Sequence, residues 1–279
     1  MKLKFLGTGT SQGVPIIGSD DPVCLSSDPK DKRLRSSALI TTETNGKILI
    51  DCGPDFRQQM LTNGENNIDA VLLTHEHNDH VIGLDDLRPI IFKRQKNIPI
   101  YCLERTAEEI KQRFPYAFSE VRYPGAPSFD IHLIDSDFTI DDTKITPIHV
   151  FHNQLPIIGF KVKKLAYITD ASSIPDSEME KLLNLDFLII NCLRKEEKHP
   201  AHFILPDVLE LVKKLKLASV TVILPMETVD PVWRGHMGLL SDMLSTAVFV
   251  LGAEEGQKLL ADFPDARLVL VGTDGKIIE

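Results

Sequence analysis

Short apolar runs recur along the chain between polar segments rich in Gly, Pro, Asn and Asp, a rhythm that predicts many short strands interleaved with a few helices. Residues 2–6 read as the first strand. Residues 38–42 and 47–51 flank Asn45-Gly46, a dipeptide suited to a type I′ turn because both central residues there take positive φ, so a β-hairpin is expected. Residues 55–63 have the spacing of a short helix closed by Asn63-Gly64, and residues 68–73 form a compact apolar strand. Further strands are expected at 98–101, 131–134, 144–150, 157–162, 165–168, 187–190 and 220–224. Over 206–217 the apolar positions Val208, Leu209, Leu211, Val212 and Leu215 fall at helical spacing, with Lys213, Lys214 and Lys216 near the end where the helix dipole favours cations. The sum is an α/β chain with more strand than helix.

Composition narrows the class. The 279 residues carry 40 acidic against 31 basic side chains, a net charge of −9, and are 43% hydrophobic. That excludes a disordered, collagenous or coiled-coil chain and suits a globular enzyme with a deep core. The apolar stretch before Gly7 and runs such as 187–190 and 247–251 are too short for a signal peptide or a spanning helix, so no membrane association is expected. An acidic balance speaks against a broad basic face for nucleic acid, while a small phosphorylated substrate stays compatible. Cys24, Cys52, Cys102 and Cys192 lie far apart with no Cys-x-x-Cys pair, so neither a disulfide framework nor a complete cysteine zinc site is written locally. A reduced, cytoplasmic location is expected, with Cys52 and Cys192 as buried thiols. Without repeats, low-complexity tracts or a Gly/Ser linker, and with no composition shift before about Pro225, residues 1–279 read as one domain. Gly7-x-Gly9-x-x-x-Gly13 has the wrong spacing for a dinucleotide fingerprint, and Val14-Pro15 follows where a phosphate-binding helix would open, so a packed glycine loop is expected instead.

The chemistry is concentrated in Thr74-His75-Glu76-His77-Asn78-Asp79-His80, directly after the apolar strand Val71-Leu72-Leu73. A polar surface loop does not account for three imidazoles and a carboxylate at His-x-His-x-Asp-His spacing. The alternate residues His75 and His77 can converge on one ion, while Asp79 and His80 turn toward a neighbouring one. Imidazole and carboxylate donors suit zinc, manganese or iron.

This motif, with Leu6-Gly7-Thr8-Gly9-Thr10-Ser11-Gln12-Gly13-Val14-Pro15 and Ile50-Asp51-Cys52-Gly53-Pro54-Asp55-Phe56-Arg57, resembles the metallo-β-lactamase superfamily. Within it the chain is similar to the PhnP-like phosphodiesterase branch, with tRNase Z as a relative. The likeness runs from residue 1 to about 224 and again, faintly, over 270–278. It implies a four-layer αβ/βα sandwich of two mixed β-sheets with a two-metal site at one edge. Residue by residue, it implies that His152, before Leu155-Pro156, joins His75 and His77 on one metal. Asp170, ending Tyr167-Ile168-Thr169-Asp170, bridges both ions, and Asp79 and His80 serve the second. Asp79 and His202 are the implied catalytic residues. His202, in His199-Pro200-Ala201-His202-Phe203, lies near the substrate rather than on the metal, where it would protonate the leaving oxygen or stabilise phosphoryl charge. Two divalent cations, zinc or manganese, would lower the pKa of a shared water and align the phosphate oxygens. Asp79 and Asp170 cancel only half of their charge, and the excess attracts a phosphodiester despite the acidic surface. The implied activity is that of a metal-dependent hydrolase, a phosphodiesterase acting on a small cyclic or linear phosphodiester through a metal-bound hydroxide.

Two departures qualify the resemblance. The family supplies a last histidine ligand after the strand at 220–224, where this chain has Ile223-Leu224-Pro225-Met226-Glu227; His236, Glu227 and Asp230 are the candidate replacements, and 225–265 is a divergent segment. The branch also carries a structural zinc on cysteines in the loop after the glycines, but Ser19 and Asp21 stand there beside Cys24, so no such zinc is expected. Alternatives stay open: a tRNA 3′-processing enzyme, weakened by the charge and by no evident basic arm, or a non-catalytic metal- or nucleotide-binding scaffold with a degraded second site. Thioester or lactone hydrolysis would use the same metals, and a homodimer is left open. For His132, His149 and His199 a structural role is preferred. The run Arg194-Lys195-Glu196-Glu197-Lys198 reads as a solvated loop in which Arg194 or Lys195 could meet a phosphate.

Overall fold

Strands that are apolar without alternation belong in a sheet buried on both faces, and the computed structural model is built around such strands. It describes residues 1–121, 123–194 and 197–215, with the backbone of strands at 220–223, 270–271 and 277–278. The chain forms two compact units, Met1–Val14 with Arg33–Pro147, and Pro15–Lys32 with Ile148–Glu279.

The first unit contains, in order, β1 (Lys2–Gly7), β2 (Ser37–Thr41), β3 (Lys47–Ile50), α1 (Phe56–Thr62), β4 (Ala70–Leu72) and α2 (Asn78–Val81). A short 3-10 helix, Ile82–Leu87, leads into α3 (Arg88–Arg94), β5 (Ile98–Cys102), α4 (Glu104–Arg113), α5 (Pro115–Phe118) and β6 (Phe129–Leu133). The six strands form one sheet in sequence order. β1, β2 and β3 pair antiparallel, and β3 to β6 run parallel, with Ile50 opposite Leu72. Every residue of β4 is buried, which explains its unbroken Ala-Val-Leu sequence. One core gathers Val71, Leu73 and Ile100 from the sheet with Phe56, Leu84, Ile91 and Ile110 from the helices over it.

The predicted hairpin forms, but not on a type I′ turn. Asn45 has φ 67, whereas Gly46 is not among the positive-φ glycines. The loop 43–45 closes through Thr42 N–H to Gly46 O at 2.9 Å and Asn45 N–H to Thr42 O at 3.2 Å. Thr42 Oγ1 also accepts the Gly46 N–H at 2.9 Å, and this side-chain bond favours the three-residue loop over the two-residue turn. α1 ends as expected at Asn63, with Gly64 beyond it at φ 65. Its Asp55 does not cap the helix. The carboxylate instead takes Arg35 Nη1 at 2.9 Å, and Arg35 Nε donates to Ser11 O at 2.7 Å, fastening the glycine loop.

β7 (Phe138–Ile140) pairs with the start of β8 (Thr143–His152), which runs on into the second unit. There follow β9 (Leu155–Val162), β10 (Leu165–Ile168), a 3-10 helix Asp176–Leu182, β11 (Phe187–Asn191), α6 (Leu205–Leu215) and β12 (Val220–Ile223). The second sheet has the order β12-β11-β10-β9-β8-β7, with β10, β11 and β12 parallel. β13 (Leu270–Val271) and β14 (Ile277–Ile278) pair antiparallel. α6 lays Val208, Val212 and Leu215 into a core with Ile148, Ile168, Leu188 and Ile190. The loop of residues 15–32 is braced locally: Ser19 Oγ accepts the Asp21 N–H, Asp21 Oδ1 the Val23 N–H and Cys24 Sγ the Ile16 N–H. No helix among the described residues is long and apolar enough to cross a membrane.

Candidate metal centre

Polar side chains collect where apolar strands end. In the first unit the parallel strands β3 and β4 finish side by side, and their next residues are Asp51 and the segment 73–80. Asp51, fully buried and at φ 60, receives three donors: Thr74 N–H at 2.9 Å, Thr74 Oγ1 at 2.9 Å and His80 Nδ1 at 2.7 Å. Burial pushes the Asp51 carboxyl above its ordinary value, while His80 and the Thr74 donors pull it back. Three converging donors suit the carboxylate. With its hydroxyl proton given to Asp51, Thr74 Oγ1 accepts from His75 Nδ1 at 3.0 Å. One buried carboxylate therefore fixes the tautomers of two histidines, placing both protons on Nδ1 and making each Nε2 the atom that carries a lone pair.

Those atoms face other ligand groups. His75 Nε2 lies 3.0 Å from His77 Nδ1, and His80 Nε2 lies 3.1 Å from Asp79 Oδ2. Such separations fit the edge of a coordination polyhedron with bonds of about 2.0–2.2 Å to nitrogen and oxygen, so the residues fit divalent metal ions. Glu76, between the two histidines, takes no part in this cluster. Its carboxylate lies 3.1 Å from Arg105 Nε and accepts Thr106 Oγ1 at 3.3 Å, while Arg113 donates to the Glu76 carbonyl, so α4 pins the motif from behind. Gly53 and Gly83 allow the close approach the motif needs. A Cβ on Gly53 would collide with Asp79 O, and one on Gly83 with Gly53 O.

In the second unit β8, β10 and β11 end at His152, Thr169-Asp170 and Asn191. His152 Nδ1 donates to Ala201 O at 2.7 Å, which makes Nε2 the ring nitrogen that can ligate a metal. Ser172 Oγ accepts the Asn153 N–H at 2.9 Å and donates to Phe151 O at 3.0 Å, stitching the end of β8 to the loop that carries Asp170. Asp170 sits at φ 55. His202 Nδ1 lies 3.7 Å from Asp170 Oδ1, beyond hydrogen-bond length, and its ring centroid is 4.8 Å from that of His152. The structure thus gathers His75, His77, Asp79 and His80 in one unit and His152, Asp170 and His202 in the other. Glu227, Asp230, His236, Lys195 and the segment 225–265 lie outside the described residues.

The sequence reading assigns no role to Asp51, Thr74, Asn191, Arg105 or Arg113; a polar residue closing an apolar strand is the signal for the first three, whereas the two arginines lie within α4 and carry no local signal. His199, read as structural, places its ring centroid 4.9 Å from that of His202. His132 stacks on Tyr101 and pairs with Asp130 at 3.0 Å, and His149 donates its backbone N–H to Glu178 Oε2 at 2.8 Å. Burial pushes the Cys102 and Cys192 thiols up to about 12 and Cys52 well above its usual value, so none of the three is a ready nucleophile.

The sequence model of the β-lactamase superfamily domain matches residues 46–226. A crystal structure of a diphosphatase from the PhnP family is 38% identical, with a TM-score of 0.73 over 80% of this chain and 85% of that one. An octanoyltransferase of Porphyromonas gingivalis is 38% identical over 242 residues, 86% of this chain and 49% of that protein. A ribonuclease Z of Methanococcus maripaludis is 26% identical over 194 residues, 66% of this chain and 54% of that protein. The chain spans about half the length of these curated relatives. With two mixed sheets and their helices, and with PhnP-family relatives, the chain belongs to the metallo-β-lactamase superfamily.

Proposed function

We propose that this protein is a metal-dependent hydrolase of small phosphodiesters that holds two divalent ions on its histidine and aspartate donors. The superfamily consists mostly of metal-dependent hydrolases. The observation that carries the proposal is the pairing of His75 Nε2 with His77 Nδ1 and of His80 Nε2 with Asp79 Oδ2, each edge set by the Asp51–Thr74 network behind it. In the second unit His152 and Asp170 offer donors of the same kind. Zinc or manganese would supply Lewis acidity and a water of lowered pKa. The chain's own residues do the rest. Asp51 and Thr74 hold protons on the far nitrogens of His80 and His75, and Ala201 does the same for His152. His202 turns Nδ1 toward Asp170 and offers Nε2 to the leaving oxygen of the substrate. The PhnP-family likeness, 38% identical over most of both chains, favours a phosphorylated substrate.

The test is hydrolysis of bis(p-nitrophenyl) phosphate by protein loaded with zinc or manganese. Activity is expected in the native chain and lost in His77→Ala; turnover that survives that substitution overturns the proposal. A second reading, tRNA 3′-end processing, is favoured by the ribonuclease Z relatives and opposed by the net charge of −9. Retention of precursor tRNA in a gel shift at physiological salt, with 3′ cleavage, would select it. A scaffold that binds without turnover predicts at most one tightly held ion per chain, which elemental analysis measures. The octanoyltransferase match spans only half of that protein, and the raised thiols here lend no support to acyl transfer through cysteine.

A further inference from the structure

β11 ends in Asn191, whose side chain turns back on the segment that follows β10. Asn191 Oδ1 accepts the Ala171 N–H at 2.8 Å, and Asn191 Nδ2 donates to Ala171 O at 3.0 Å. One primary amide therefore grips both polar groups of a single backbone residue, a task that needs a donor and an acceptor side by side. Ala171 directly follows Asp170, whose φ of 55 is a conformation that L-residues keep only where the surroundings impose it. Ala171 is itself fully buried. Its carbonyl accepts a second hydrogen bond, from the Phe203 N–H at 2.8 Å, and Phe203 follows His202. The Leu193 N–H in turn donates to Phe203 O at 2.8 Å, tying the end of β11 to the same segment. A single peptide carbonyl is thus shared by the chain that presents Asp170 and the chain that presents His202, and Asn191 holds that peptide in place.

We propose that Asn191 is a positioning residue of the hydrolytic site, one that sets the carboxylate of Asp170 and the imidazole of His202 relative to each other. This rests on the hydrolase function proposed above. Without the amide, Ala171 loses two of the three hydrogen bonds described above, the left-handed conformation at Asp170 loses their support, and the 3.7 Å relation of His202 Nδ1 to Asp170 Oδ1 relaxes. Aspartate is no substitute, since its second oxygen would face the Ala171 carbonyl as acceptor against acceptor.

The experiment compares the native chain with Asn191→Ala and Asn191→Asp, using Val162→Ala, buried at the end of β9 and outside the core cluster that holds Ala171 and Phe203, as a variant that lowers stability elsewhere. Three quantities are read: kcat and KM for bis(p-nitrophenyl) phosphate, Zn²⁺ affinity by competition with a chromogenic chelator, and amide exchange by mass spectrometry over 169–173 and 201–204. Both Asn191 variants are expected to lose about 10- to 100-fold in kcat or in Zn²⁺ affinity. KM should change far less, and exchange should quicken in both peptides. Val162→Ala should shift only the melting temperature. Asn191 variants that match Val162→Ala, with native kcat, native Zn²⁺ affinity and native exchange, would overturn the proposal. If the native chain binds Zn²⁺ but does not hydrolyse the diester, the hydrolase reading fails alone, and affinity and exchange still decide the role of Asn191. Should Asn191→Ala fail to fold, Asn191→Asp carries the comparison.

Discussion

Asp51→Asn leaves shape and volume nearly unchanged and reverses one hydrogen bond. The native carboxylate accepts from Thr74 N–H, Thr74 O–H and His80 Nδ1–H, the last at 2.7 Å in a site with no solvent access. An asparagine can keep the two Thr74 bonds on its oxygen. Its amide nitrogen then faces His80 Nδ1, and the pairing survives only if Nδ1 becomes the acceptor and the proton moves to Nε2. A protonated Nε2 cannot ligate. The expected loss is that of an outer-shell partner, about 10- to 100-fold in metal affinity, or about 1.4–2.7 kcal/mol, confined to the ion that His80 serves. Titration of metal-free protein with Zn²⁺ measures it. The native chain should take up two ions, and Asp51→Asn one with native affinity and one weakened.

Thr74→Val is the complementary perturbation, because it removes the hydroxyl that accepts from His75 Nδ1 and should weaken the ion held by His75 and His77 as well. Thr74→Ser, which retains the hydroxyl, should restore it. Equal affinity for both ions in Asp51→Asn, in a protein that melts like the native chain, would refute the tautomer argument.

Other outcomes follow from single contacts. Gly53→Ala puts a methyl group into the Asp79 carbonyl and should cost about 1–3 kcal/mol in urea denaturation, with loss of hydrolysis as Asp79 is displaced; an active, fully stable variant would contradict the close approach. Glu65 is held below its ordinary pKa of 4.5, chiefly by its hydrogen bond from Lys4 at 2.6 Å, with Lys47 at 3.1 Å adding to it. A lowered carboxyl pKa stabilises above the ordinary value and ceases to do so as pH falls through the lowered one, so Glu65→Gln should melt earlier at pH 7 and the gap should close below pH 4.5. A gap that stays constant down to acid pH argues against the ion pairs. Of the four thiols, the half-buried Cys24 should react with a disulfide reagent in the native state, and Cys52, Cys102 and Cys192 only on unfolding.

What the sequence displayed and what it hid divide along a physical line. The eleven expected strands appear close to their predicted positions because each is an apolar run whose burial is local information, and the ligand motif is visible because His75, His77, Asp79 and His80 lie within six consecutive residues. α4 was missed: among its ten residues only Thr106, Ala107 and Ile110 are buried, too thin a stripe to register as a helical face, and its task of gripping Glu76 from 30 residues away has no local signature. Asp51 and Asn191 were hidden for the same reason, since their partners stand 23 and 20 residues off across neighbouring parallel strands. Yet both obey the rule that exposed the ligands. A strand that is apolar to its last residue and then turns polar places that side chain at the carboxyl edge of a parallel sheet, where neighbouring strand ends converge. Imidazoles and carboxylates there read as ligands because metals demand them. A carboxylate or amide at the same edge, one strand over, is what such ligands require to keep their lone pairs pointed, so Asp51 beside His80 and Asn191 beside Asp170 occupy equivalent places in the two units.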